Sequence, residues 1–177
     1  MAKFSFPCSY LLLVRFNEDA QIRVGALGKV SLPEGWYIYA GRARKGIYQR
    51  LRRHLGRKKK CFWHIDYLLE VGEVRGIAVF KGEIECELVQ TLCKAGVCSL
   101  LKPGLGSSDC RCKAHFLKIE EQIVFSWSDI GNFLRRKGLP VEKVIICFSE
   151  NGPLKGFEIE ALASSGHCVP HGPGNSC

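Results

Sequence analysis

The segment Trp36–Lys58 constrains the fold most, because its apolar residues change period partway along. Trp36–Ala40 is an aromatic-rich apolar run ending at Gly41, which reads as a strand. From Gly46 to Lys58, Ile47, Leu51 and Leu55 recur every four residues and form one stripe of a helix. At about 100° of rotation per residue, Arg50 and His54 flank that stripe, so they are expected at the rim where helix meets sheet. Arg53 and Arg57 point further away.

The same region carries the charge. Ten Lys and Arg residues lie between Arg42 and Lys60, with no Asp or Glu among them. The chain has a net charge of +9, so the remainder carries −1 and the basic excess is one local feature. Such a run is either a solvated face or a polyanion-binding one, since clustered cations bind phosphates with release of counterions. On the second reading Arg42, Arg44, Lys45, Arg53, Arg57, Lys58, Lys59 and Lys60 contact nucleic acid, DNA in preference to RNA. The longest apolar run, Tyr10–Val14, is far short of the ~20 residues that span a bilayer. No membrane partner is expected. The N-terminus shows no leader pattern, which predicts a cytoplasmic address.

Elsewhere Tyr10–Phe16 reads as a buried strand, and Gln21–Val24 with Lys29–Leu32 as a hairpin around Gly25 and Gly28. Cys61–Leu69 is ambiguous between helix and strand. Arg75–Phe80 reads as a strand, Ile84–Ala95 as a helix with Ile84, Leu88, Leu92 and Ala95 on one side, and Pro103–Asp109 as a tight loop. Phe116–Ile119, Ile123–Trp127 and Val141–Phe148 read as strands, and Ser128–Lys137 as a helix capped by Ser128. Residues 164–177 are Gly- and Pro-bearing with little apolar material, which predicts a disordered tail. At 177 residues and 46% hydrophobic, the chain suits one α/β domain plus a tail. Most of the ten cysteines sit singly in apolar patterns (Cys93, Cys98, Cys147), as small buried hydrophobes and reduced thiols.

Three blocks carry recognisable chemistry. The first is Tyr37–His54, with Tyr39-Ala40-Gly41 at a strand end and Arg50 and His54 on the helix. The second is Trp63-His64-Ile65-Asp66-Tyr67. The third is Gly106-Ser107-Ser108-Asp109-Cys110-Arg111-Cys112-Lys113-Ala114-His115. In order and type these resemble the GIY-YIG nuclease superfamily, and more closely its uncharacterised branch, found alone or fused to endonuclease III-type DNA-repair glycosylases. The resemblance covers about Tyr10–Phe116. It implies a small, mainly antiparallel sheet flanked by helices, here with an inserted hairpin. The implied nuclease domain is 8–119, with 120–163 an extension packed on or beside it. Tyr39 and Gly41 match the second signature tripeptide, Tyr10 the tyrosine of the first, Arg50 the helix arginine, and His54 a histidine of several members. A helix glutamate that holds the metal is matched by Glu85 or Glu87. Ser108, Asp109 and His115 are implied to border the site.

The chemistry is consistent with those types. Phosphodiester hydrolysis needs an activated water, a cation to absorb charge and an in-line leaving group. Tyr10 or Tyr39 is a candidate to draw the proton from water, and Arg50 presents a planar fork to phosphate oxygens. Mg²⁺ or Mn²⁺ favours carboxylate oxygen. His64 and Asp66 share one face if they lie on a strand, and diverge by ~200° on a helix. On a strand His64 is a proton shuttle or phosphate contact, with Asp66 its orienter or a second metal ligand. Cys110, Cys112 and His115 are three ligands suited to Zn²⁺, with Cys86 or Cys61 as fourth; a plain Gly-rich turn with buried thiols is the alternative. Three functions are therefore open: a metal-dependent endonuclease, a nucleic-acid-binding module of the same fold without catalysis, and a zinc-stabilised interaction domain.

Overall fold

In a computed structural model, residues 7–44, 46–56, 60–120, 126–139, 141, 144–150 and 152–154 are described. Lys45, Arg57, Lys58 and Lys59, residues 123–125 of the strand expected at Ile123–Trp127, and the tail 164–177 lie outside them.

The uninterrupted apolar run near the N-terminus becomes β1 (Cys8–Phe16), a strand buried on both faces. That is why it does not alternate. Cys8, Tyr10, Leu12, Val14 and Phe16 enter one core, while Leu11 and Leu13 enter the other. On one side β1 pairs antiparallel with β4 (Gly35–Ala43), and on the other with β5 (Glu73–Lys81). The hairpin is β2 (Ala20–Val24) and β3 (Gly28–Leu32), a separate two-stranded sheet. With β6 (Cys98–Leu100), β7 (Phe116–Ile119) and β8 (Val144–Phe148), the main sheet runs β6-β7-β4-β1-β5-β8, and every pairing among the described residues is antiparallel.

Helices flank this sheet. On the Tyr10 face lie α1 (Ile47–Leu55), α2 (His64–Leu68) and the hairpin; Ile47, Leu51, Ile65 and Leu68 are buried there. On the other face lie α3 (Glu85–Lys94) and α4 (Ile130–Arg136), through Leu88, Val89, Leu92, Ile130 and Leu134. The expected α+β architecture with an inserted hairpin is the one observed.

Several expectations need correction. β4 does not stop at Ala40 but continues through Arg42 to Ala43, because β1 offers a partner down to Cys8. Cys61–Leu69 resolves as α2: the Asp66 carboxylate accepts the backbone N–H groups of Phe62 and Trp63, both at 3.0 Å, and so caps a helix start. Ser128 does not cap α4. It lies in a 3₁₀ turn, Trp127–Asp129, whose Trp127 packs in the core instead of closing a strand. β8 begins at Val144, later than expected. Cys98 and Cys147 are buried as expected, but Cys93 faces solvent and Cys147 is disulfide-bonded instead of a reduced thiol.

Candidate active site

The antiparallel register brings the first residues of β1 beside the last residues of β4 and β5. The helices α1 and α3 both start just beyond that end of the sheet. The cleft lies there. It holds about 470 Å³ of empty space, part of it open to solvent.

Its floor is aromatic. Tyr10 faces Gly41 across the β1–β4 pair, and a Cβ on Gly41 would lie 2.5 Å from the far end of the Tyr10 ring. Glycine is therefore needed for space alone. Tyr10 and Tyr39 meet edge to face, with ring centroids 6.2 Å apart. The Tyr10 hydroxyl lies 2.7 Å from His54 Nε2, a buried hydrogen bond between β1 and α1. Burial raises the Tyr10 hydroxyl well above the usual phenol range, with Tyr39 adding to it and Arg50 opposing. Burial likewise raises Tyr39 to about 12, against the charge of Arg50. Both are therefore neutral hydroxyls at pH 7. Neither offers a free tyrosinate at that pH, so any proton either one draws has to be passed on.

The walls are charged and polar. Arg50 lines the cleft and lies over the Trp63 ring, 5.7 Å from its centroid. His64 also lines it, and its Nδ1 accepts the Gly106 N–H at 3.2 Å, which joins α2 to the loop after β6. Glu85, at the first turn of α3, is buried. One carboxylate oxygen pairs with Arg42 at 3.2 Å and the other accepts from the Ser9 hydroxyl at 3.2 Å. The other arm of Arg42 reaches Asp109 at 2.9 Å. Ser108, Asp109 and His115 complete the lining.

The structure thus brings Tyr10, Tyr39, Gly41, Arg50, His64, Glu85, Ser108, Asp109 and His115 to one cleft, with His54 directly behind Tyr10. It does not bring Glu87 or Asp66. Glu87 is exposed on α3, two residues and about 200° from Glu85. Asp66 is fully buried, bonded at 2.6 Å to Arg53 and capping α2, so the helical geometry separates it from His64. Burial would raise the Asp66 carboxyl, but Arg53 and the two backbone N–H groups outweigh this and lower it.

The basic segment is also less free than its sequence implies. Arg42 pairs with Glu85 and Asp109, Arg44 with Glu83 at 2.7 Å, and Arg53 with Asp66. Those carboxylates all lie beyond Lys60, outside the run itself, which is why the run looked unneutralised. Lys60 is exposed. Next to it, Phe62 is 72% exposed, an accessible ring beside Trp63 that sequence reading did not single out. Ser9 was also missed. A serine within an apolar strand carries no signal until Glu85 is seen above it.

On the far side of His115 lies a second group. Cys86, Cys110, Cys112 and His115 present ligand atoms that all lie within 4.8 Å of one another and could hold a metal ion. Burial and the neighbouring thiols raise Cys86, and burial lowers His115, leaving its imidazole neutral. The other proposed fourth ligand, Cys61, instead bonds Glu70 at 3.1 Å.

A family model described as a domain of unknown function, DUF123, matches residues 9–134. No curated protein and no solved structure matches the chain.

Proposed function

The chain belongs to the DUF123 family, a name without an activity attached, so function has to be read from the cleft, and we propose that it is a metal-dependent endonuclease of the GIY-YIG kind acting on DNA or RNA phosphodiesters. One observation carries this reading. Two tyrosines, an arginine and a glutamate, from β1, β4, α1 and α3, converge on one cleft with a histidine bonded behind the first tyrosine.

The residues divide the work. With both phenols neutral, water loses its proton through a relay: Tyr10 accepts it while passing its own to His54 Nε2 across the 2.7 Å bond. Neither phenolate forms. The Arg50 guanidinium, held over Trp63, offers two parallel donors to the phosphate oxygens as charge accumulates on them. His64, oriented by the Gly106 N–H, has its Nε2 left to contact a phosphate or protonate the leaving oxygen. Glu85 is a hard oxygen donor lining the cleft, with Asp109 nearby through their shared Arg42. That donor chemistry fits Mg²⁺ or Mn²⁺. When bound, such an ion supplies Lewis-acid neutralisation of the diester. The exposed Phe62 and Lys60 extend the polar cleft towards a nucleic acid, as a stacking ring beside a cation.

A second reading is favoured by one specific contact. Arg42 already neutralises Glu85, so a cation of the chain occupies the place of a metal. On that reading the protein binds nucleic acid without cutting it.

Labelled duplex DNA, branched DNA and RNA incubated with the purified chain and Mg²⁺ or Mn²⁺ decide between the two. Cutting is expected from the wild type and from Glu87→Gln. Glu85→Gln should bind and not cut. Wild-type binding without cutting on all substrates establishes the second reading. Cutting by Glu85→Gln at the wild-type rate moves the metal elsewhere.

A further inference from the structure

The group behind His115 is not used by that chemistry, and its construction differs from that of a buried-thiol turn. Its four members come from two separate parts of the chain. Cys86 lies on the first turn of α3, while Cys110, Cys112 and His115 lie on the loop that returns to β7. The loop is knit into a fixed shape before the ligands are considered. The Gly104 N–H bonds Lys113 O at 2.7 Å, and the His115 and Phe116 N–H groups both bond Leu105 O. Gly106 takes a positive φ of +80° to make that turn, where a Cβ would also press on the Phe116 nitrogen at 3.0 Å.

The distances are those of a metal polyhedron. With metal–sulfur bonds of about 2.3 Å and a metal–nitrogen bond of about 2.05 Å, a tetrahedral zinc site separates nitrogen from sulfur by about 3.6 Å and two sulfurs by about 3.8 Å. His115 Nε2 lies 3.3 Å from the Cys110 sulfur and 3.6 Å from the Cys86 sulfur. With every ligand atom within 4.8 Å of every other, closing on one ion needs movements of about 1 Å or less.

The surroundings are those of a metal ligand set too. His115 Nδ1 lies 3.1 Å from Ala40 O, so the proton belongs on Nδ1 and the lone pair on Nε2 turns to the three sulfurs. A backbone carbonyl that fixes the tautomer in this way is the usual outer partner of a ligating histidine. The Cys112 N–H donates to the Cys110 sulfur at 3.4 Å, which fixes the position of that sulfur beside His115.

We infer that Cys86, Cys110, Cys112 and His115 bind one Zn²⁺ through three thiolates and imidazole Nε2. Binding expels the three thiol protons to solvent along with the waters of the ion. Four protein ligands close a tetrahedron and leave no position for substrate, so the ion is structural. It staples the loop after β6 to the start of α3. The residue before one ligand is Glu85 and the residue before another is Asp109, the two carboxylates that share Arg42. The zinc therefore sets the spacing of the charged wall of the cleft. The inference does not depend on that cleft cutting nucleic acid, and its test reads metal alone.

The full chain, purified under reducing conditions, should contain about one zinc per chain by elemental analysis. After extraction of the zinc, titration with Co²⁺ should develop the thiolate-to-cobalt charge-transfer band and the strong visible bands of a tetrahedral site. Cys112→Ser should lose stoichiometric zinc and weaken that charge-transfer band, and Cys110→Ser should do the same. Cys61→Ser and Cys93→Ser should retain both signals. A wild-type chain that holds no zinc and develops no cobalt–thiolate band overturns the inference, even if every variant fails to fold. So does zinc retained at wild-type affinity by both Cys110→Ser and Cys112→Ser.

Discussion

Replacing Gly41 with alanine tests the floor of the cleft. The added Cβ would stand 2.5 Å from both Cζ and Oη of Tyr10, whereas carbon contacts are comfortable at about 3.5 Å. Tyr10 is 1% exposed and is held between Tyr39 and His54, so its ring cannot swing aside without breaking those contacts. Relieving about 1 Å of overlap in a packed core costs about 1–3 kcal/mol. Pulling the Tyr10 hydroxyl off His54 leaves buried groups unpaired and adds about 1–3 kcal/mol. Gly41 is not among the positive-φ glycines, so no backbone strain contributes; the stiffer unfolded chain returns less than about 1 kcal/mol. The net loss is about 1–6 kcal/mol, which at a urea slope of about 2 kcal/mol/M lowers the midpoint by about 0.5–3 M. The assay is urea denaturation followed by tryptophan fluorescence, run for Gly41→Ala in the wild type and in a Tyr10→Leu background. Leucine lacks the far end of the ring, so the alanine should be nearly neutral there, and the difference between backgrounds is the coupling energy. An equal midpoint shift in both backgrounds refutes the steric account.

Three other outcomes are expected. Arg50→Lys should bind nucleic acid within a few fold of wild type and cut about a hundredfold more slowly or worse, while Arg53→Lys should mainly lower stability through Asp66; equal kinetic effects of the two would reduce Arg50 to an ordinary surface cation. Because the folded-state pKa of Asp66 is depressed, its contribution is present in full above the unfolded value of about 4 and is lost as pH falls through the lower folded value. The acid limb of stability against pH should therefore be shallower in Asp66→Asn, and superimposable limbs would contradict this. Changing Arg57, Lys58, Lys59 and Lys60 together to alanine should reduce the log–log salt slope of duplex binding by about 0.9 per lost phosphate contact; an unaltered slope would assign them to solvation.

Much of the fold could be read because periodicity reports burial. β1, β4, β5, α1 and α3 all follow from apolar spacing, and their ends move by only a few residues once partners are known. The three-residue β6 is too short to leave a pattern. α2 was undecidable because its cap, Asp66, gains its meaning from Arg53 on another helix. The site divides similarly. Tyr10, Tyr39, Arg50 and Glu85 were within reach because strand ends and helix rims place them. Their companions were not: Ser9, the Arg42 bridge and the choice of Cys86 over Cys61 depend on contacts across roughly 25 to 75 positions of sequence, for which one chain gives no local sign.

The sheet order also has a consequence for synthesis. Of the six strands of the main sheet β1 is made first, yet it is an interior strand whose two neighbours are β4 and β5. Cys8 waits for Ala43 on one side and for Lys81 on the other. Until the second neighbour emerges, one side of an almost wholly apolar strand remains an open edge, of the kind that recruits other chains. Closing long loops before any contact rewards them makes such pairing slow. The nascent chain is therefore most exposed to aggregation between the appearance of β4 and that of β5. The intervening stretch is where the lysines and arginines are concentrated, and like charge on neighbouring copies opposes their association during that interval.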